Sequence, residues 1–397
     1  MTIEKRSQIE WLYLLYFIVM LAHSSIPYLK FVVWLAIIFL TVYLMRNGIS
    51  RTKMQNIATV LFSYGVFFCW VAISRKWAYV QRPNAGTLDT MVRILPIMIS
   101  IAFYIDSREK VNRMLDIVVI STTYFAIVYL ATSPISTYGT TSMRGITEQH
   151  RNFSAYLAAI AIIIAFNLFR QTRKRKYKFC ISVCFLLVLF SGSRGALASL
   201  GVMIVLYALF QDSWSKRTRF ILIGVLLAII GFYLLMTNDF LYNMYGERIL
   251  AIFSNRDQSA EDRSYYIELA LEMFYQKPIC GWGLDNFSYY LNAIGGYGRE
   301  VYSHCNYAEI LSCYGIIGFI LFYWPYFQTL AKLWKKRRTD PLAKVIVIVL
   351  CRYIIFEYST ISFEHFMYMC ILTICFCSSN VFLREEYRCN EEYCVLS

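Results

Sequence analysis

The sequence predicts an all-α fold: one membrane-embedded unit, residues 1–397, with about twelve transmembrane helices and one long external loop. Three observations carry this. Apolar runs of nearly twenty residues recur along the chain, the length that crosses a hydrocarbon core ~30 Å thick. The 397 residues are 58% hydrophobic, 17% aromatic and only 16% charged, against roughly a quarter charged in soluble domains. Lys and Arg gather in short segments between the apolar runs, as in loops that face anionic lipid.

The runs fall at 10–27, 28–45, 56–73, 88–105, 114–133, 152–169, 177–190, 195–210, 219–237, 305–330, 343–360 and 362–383. The first, with Trp11–Ala22 at its heart, has no small-residue cleavage site and is followed at once by the next run. It therefore reads as a membrane helix and not as a cleavable signal. With a cytoplasmic N-terminus, 25 Lys/Arg fall in cytoplasmic segments, 13 fall outside or at outer helix mouths, and Arg352 lies within a run. The positive-inside rule then puts both termini in the cytoplasm.

A net charge of +14 would suggest nucleic acid in a soluble chain. Here the charge follows the membrane pattern, and no basic strip with interleaved aromatics stands apart from it, which argues against a nucleic-acid partner. The twelve cysteines lie mostly in apolar runs without zinc-type spacing and read as small buried hydrophobes. Cys280 and Cys305, both external in this topology, could pair.

The segment Thr237–Ser303, about 65 residues, is unlike the other loops in length and polarity. Within it, Glu261–Tyr275 reads as an amphipathic helix with Tyr266, Leu269, Ala270, Met273 and Phe274 as its apolar stripe. Pro278 and Gly281 stop that helix, and the glycine-rich stretch Gly281–Gly298 makes tight turns before the next run.

Ionisable groups at membrane depth are costly, which makes them functional candidates. Three places stand out, all on the predicted external side. Ser191–Ala196 sets Arg194 among two glycines and two hydroxyls, Ser193 included; a guanidinium can fork onto phosphate oxygens, although it could equally snorkel to lipid headgroups. Arg263 opens the amphipathic helix beside Glu261 and Asp262, where it could simply be an exposed charge paired with those acids. His304, followed by Asn306 and Glu309, sits at the mouth of a helix and is suited to take a proton near neutral pH. No paired His/Asp/Glu spacing accompanies it, so neither metal nor cofactor is expected. His150, Arg151 and Asn152 enter the sixth run from outside and could add polar groups to the same cavity. Arg352 and Glu357 read as a pair that neutralises itself.

Three stretches together resemble the O-antigen ligase and O-antigen polymerase family of bacterial membrane glycosyltransferases. They are Ser-x-Ser-Arg-Gly-Ala at Ser191–Ala196; Asp262-Arg263, an amphipathic helix and the turn Lys277–Phe287; and Ser303–Glu309 with Gly315-Ile-Ile-Gly318 beyond it. The resemblance covers residues 150–330. One departure is Cys305, which stands where the family often has Asn directly after the histidine.

The resemblance implies a membrane glycosyltransferase fold of the GT-C-like type. It also implies metal-independent, inverting transfer of a glycan from undecaprenyl diphosphate to an acceptor sugar hydroxyl at the outer face of the cytoplasmic membrane. Arg194 and Arg263 would then neutralise the leaving diphosphate, and His304 would act as general base or orient the acceptor. Ser193, Asn306, Glu309, Arg151 and Asn152 would support them. The implied partners are the lipid-linked donor, a glycan or lipid A-core acceptor, membrane lipids, and a chain-length regulator or flippase. Repeat-unit polymerase and ligase both stay open. So does a non-enzymatic transporter or flippase of the same lipid-linked sugars, although the polar residues gather at one end and do not line a path to both leaflets.

Overall fold

A computed structural model of the chain describes residues 6–23, 26–46, 48–80, 86–140, 142–147, 149–239, 242, 245, 258–295 and 301–396. It is helical throughout, with no strand among the described residues. The helices are α1 Gln8–Ala22, α2 Pro27–Met45, α3 Arg51–Val60, α4 Val66–Ser74, α5 Gly86–Tyr104, α6 Arg108–Thr132, α7 Arg151–Thr172, α8 Lys176–Phe190, α9 Arg194–Leu209 and α10 Trp214–Thr237. They continue with α11 Gln258–Gln276, α12 Asn286–Gly295, α13 Asn306–Leu333, α14 Pro341–Phe356 and α15 Phe366–Leu396. A π-helical turn, Leu61–Gly65, joins α3 to α4. Among the described residues, seven helical segments are long and apolar enough to span a bilayer: Tyr28–Met45, Arg51–Trp77, Gly86–Tyr104, Arg108–Thr132, Arg151–Thr172, Asn306–Arg338 and Phe366–Glu385. The chain is therefore a multi-pass helical membrane protein. α1 and α9 are apolar but shorter.

Local chemistry sets many helix starts. Ser50, Ser193 and Ser213 are N-caps whose side chains accept from the Lys53, Ala196 and Lys216 amides. The eleventh predicted run, 343–360, is helical only to Phe356. Ser359 and Thr360 hydroxyls both donate to the Phe356 carbonyl and end the helix there.

The chain forms two compact units. The first comprises Met1–Leu44, Glu109–Asp257 and Leu333–Arg352. Its central helix is α7, whose apolar window is 78% buried and which packs against α8 and α9. At the Lys/Arg-rich end, Asp116 on α6 accepts from Arg6 at 2.8 Å, Lys176 at 2.6 Å and the Tyr177 hydroxyl at 2.8 Å, tying the chain before α1, α6 and α8 together.

The second unit comprises Met45–Arg108, Gln258–Lys332 and Tyr353–Ser397. Its central helix is α15, whose apolar window is 94% buried and which packs on α3 and α5. α11 buries Tyr266, Leu269, Ala270 and Met273, four of the five residues of the stripe expected from the sequence, and leaves Phe274 half-buried.

The decisive irregularity in this unit is a break in α13 at Gly315, with φ 68° and ψ −169°. A broken helix inside a membrane must place every freed backbone group. The turn after α11 does so. Trp282 N–H donates to Ser312 O at 2.9 Å and Gly283 N–H to Cys313 O at 2.8 Å. In return, Ile316 N–H donates to Pro278 O at 2.9 Å, and the Trp70 indole donates to Tyr314 O at 3.0 Å. Such contact requires glycine on both sides: a Cβ at Gly281 would collide with the Cys313 carbonyl group, and one at Gly315 with the Ile279 carbonyl.

Gly315→Ala and Gly281→Ala are expected to destabilise the protein by ~2 kcal/mol or more, from left-handed backbone plus the collision. Gly201→Ala, with open space around it, should be neutral. Thermal melting of the detergent-purified variants distinguishes the three.

Candidate functional site

His304 is built into the second unit by a serine turn. Ser303 Oγ donates to Cys305 O at 2.9 Å and accepts from the Cys305 amide at 3.3 Å, and the Ser303 amide donates to the Glu309 carboxylate at 2.7 Å. These bonds hold His304 at φ 59°, in the left-handed region that non-glycine residues seldom occupy. Such geometry is typical of sites where a side chain must point one way. The imidazole lies parallel to Tyr266 of α11, ring centroids 6.0 Å apart and planes at 21°, and 4.2 Å from the Tyr302 ring. It is half-buried.

Arg263 lies one helical turn before Tyr266 on α11. Burial pushes the Tyr302 phenol up, and the positive charge of Arg263 acts against that rise. Arg263, Tyr302 and His304 thus form one cationic and aromatic cluster.

Asn306 and Glu309 have structural work here. Asn306 is fully buried at the start of α13. Its amide group donates to Tyr323 Oη at 2.8 Å and Glu357 Oε2 at 3.2 Å, and its carbonyl accepts from the Ser362 amide at 2.9 Å. Glu357 is further bonded by the hydroxyls of Tyr323, Tyr326 and Ser362. Asn306 therefore anchors the α13 start to the α14–α15 turn, and Glu309 holds the turn that presents His304. Cys280 and Cys305 are both free thiols.

A second polar set in this unit joins Asp285, from the Lys277–Phe287 motif, to residues outside every motif. The Thr87 hydroxyl lies 2.6 Å from Asp285 Oδ1 and 2.9 Å from Glu364 Oε1. One hydroxyl has one proton, so it can donate to only one of these oxygens. The other carboxyl must carry a proton of its own to bond. Burial first, then the charges of Glu309 and Asp285, push Glu364 from 4.5 up to about 8, which favours Glu364 holding that proton. Asp285 itself stands at φ 56° in the turn that docks on Gly315. Beside that turn, Trp282 meets Tyr79 at 6.2 Å and Tyr290 at 5.3 Å, with the Lys277 ammonium 4.1 Å over its indole. These residues come together from segments far apart in the chain, and no spacing signal could have grouped them.

In the first unit, Arg194 is the first residue of α9 and half-buried. Gly192, at φ 62°, lets the turn before it lie against Gly139. Arg151 clamps that contact, donating to Gly139 O at 2.8 Å and Ser191 O at 3.2 Å. The His150 ring accepts from the Asn152 amide at 3.2 Å and caps α7. Ser193 caps α9. Arg151, Asn152 and Ser193 thus shape the turn that carries Arg194. Deeper in the same unit, Arg352 donates to Ser199 Oγ at 3.1 Å and lies 4.7 Å over the Tyr156 ring.

Residues 179–323, from α8 through the first part of α13, match the O-antigen ligase family model. The matched segment contains Arg194, Arg263, the Gly281–Gly315 docking and His304, and the match supports involvement in O-antigen and polysaccharide assembly. No curated protein is significantly similar to the chain.

A raised carboxyl pKa means the folded state holds the proton more tightly than the unfolded one. Its contribution is full below pH 4.5 and is lost as pH rises through about 8. Glu364→Gln mimics the protonated acid. It should flatten the fall in melting temperature across that window, which pH-dependent melting of wild type and variant would reveal.

Proposed function

We propose that this protein transfers an oligosaccharide from undecaprenyl diphosphate to an acceptor sugar hydroxyl at the outer face of the cytoplasmic membrane, extending or attaching a surface polysaccharide. The observation that carries this reading is the His304 turn: a half-buried imidazole held by two aromatic rings, with Arg263 one helical turn from Tyr266. In this mechanism the acceptor hydroxyl attacks the anomeric carbon and loses its proton to His304. The carbon–oxygen bond to the diphosphate breaks with inversion, and Arg263 neutralises the charge that develops on the leaving group. Arg194 is assigned a second diphosphate contact on the strength of its motif alone.

Supporting the membrane side of this reading, seven helical segments among the described residues are long and apolar enough to span a bilayer, and the Lys/Arg bias favours a cytoplasmic side for both termini. A bundle of the GT-C-like type with Thr237–Ser303 outside would put Arg194, Arg263 and His304 on the outer side. The ligase and polymerase readings differ in acceptor alone; the family match spans both.

The test is transfer in membranes supplied with an undecaprenyl-diphosphate-linked oligosaccharide. His304→Ala is expected to lower transfer by roughly 10²-fold or more, the usual contribution of a positioned base. Arg263→Ala should fall by a similar factor, and Glu309→Ala, which unseats the His304 turn, by less. Undiminished transfer by His304→Ala would sink the mechanism.

A further inference from the structure

At the other end of the second unit, among the helix ends whose charge predicts a cytoplasmic location, α3, α13 and α15 enclose a cavity of about 750 Å³. Its lining carries three cations, Arg51, Lys332 and Arg384, and no carboxylate. Glu385, the acid next to Arg384 in sequence, is already engaged with Arg108.

The cations are set in a built frame. Asn380 of α15, 7% exposed, donates to Asn56 Oδ1 at 3.0 Å and Thr59 Oγ1 at 2.9 Å. That leaves its carbonyl to receive the Lys332 ammonium at 3.3 Å, which fixes the lysine at the cavity wall. Arg51 stands in the first turn of α3, where the positive end of the helix adds to its charge.

The remaining lining is mixed: Thr52, Gln55, Ser63 and Gln328 add neutral polar groups, and the apolar part faces outward. Phe62 is 77% exposed and Trp324 59%, on spanning segments that a bilayer would cover. One compartment therefore joins a triple-cation mouth to an apolar wall that continues toward lipid. A free small anion would use the first part only. A phosphodiester headgroup with acyl chains uses both.

We propose that this cavity binds the headgroup of an anionic phospholipid of the cytoplasmic leaflet, with an acyl chain laid against Phe62 and Trp324. The inference rests on the membrane-spanning architecture and is independent of the glycosyl-transfer reading. Three cations in one cavity should discriminate strongly against zwitterionic lipid, whose own ammonium they repel.

The experiment is native mass spectrometry of the full chain, reconstituted into phosphatidylcholine nanodiscs doped with phosphatidylglycerol and released into delipidating detergent. Wild type is expected to retain phosphatidylglycerol in preference to phosphatidylcholine. The triple variant Arg51→Gln, Lys332→Gln, Arg384→Gln should retain it roughly tenfold less or worse. Arg384→Gln alone, an exposed site that should leave folding intact, should show a smaller loss in the same direction. A control removing equal charge from the neighbouring 3₁₀ turn, Lys335→Gln, Lys336→Gln, Arg338→Gln, should leave retention unchanged. Equal retention by wild type and Arg384→Gln would overturn the proposal, as would equal loss in the control. Displacement of the lipid by inorganic phosphate alone would overturn the lipid assignment in favour of a simple anion site.

Discussion

The second unit depends on one backbone contact, the docking of Gly281–Gly283 against the break at Gly315. Breaking a helix at membrane depth exposes amides and carbonyls that lipid cannot satisfy. Here the turn that ends α11 supplies N–H groups to the carbonyls of Ser312 and Cys313, and its Pro278 carbonyl receives the Ile316 amide. The exchange resembles a short piece of β-pairing between a turn and a kinked helix. It works only at near-contact distance, hence glycine on both sides.

The roles proposed for Arg263 and His304 hang on that contact. It fixes the C-terminal end of α11, and so sets Tyr266 and Arg263 further along the same rigid helix. It fixes Asp285, which reaches the Thr87 hydroxyl and through it Glu364. It also fixes the first part of α13, whose Glu309 holds Ser303 and hence the left-handed His304. An imidazole positioned this way loses little rotamer freedom when a substrate arrives, which is what a proton-transfer group needs. Asp285 and Glu364 meet the same Thr87 hydroxyl, whose single proton can serve only one of them.

Much of the helical layout was legible beforehand, since apolar runs of membrane length have few alternatives. Run ends were less so. α14 stops at Phe356 because two hydroxyls three and four residues later cap it, a local competition that hydropathy does not register. Among the candidate residues, His304 and Arg263 were visible as rare polar groups in an apolar chain. Their helpers were visible only as residue types. Asn306 and Glu309 look like site residues in the motif, yet their hydrogen bonds hold the α13 start and the His304 turn. Arg151 looks like a cavity cation, yet it clamps two carbonyls. Thr87 and Glu364, 277 residues apart, carry no mutual signal at all.

The sequence by itself determined that this chain lives in a membrane, which end of its helices is cationic, and that residues 179–323 match the O-antigen ligase family model. Those properties are sums or local orders along the chain, and a bilayer reads them directly. Only the tertiary structure decided which polar groups meet. A glycine in a turn and a glycine in a helix become partners, and a lone histidine gains two aromatic walls. Three cations from three distant helices share one cavity. Each outcome depends on distances of a few ångströms between segments remote in sequence, where hydrogen bonds and charge pairs take effect and residue order alone is silent.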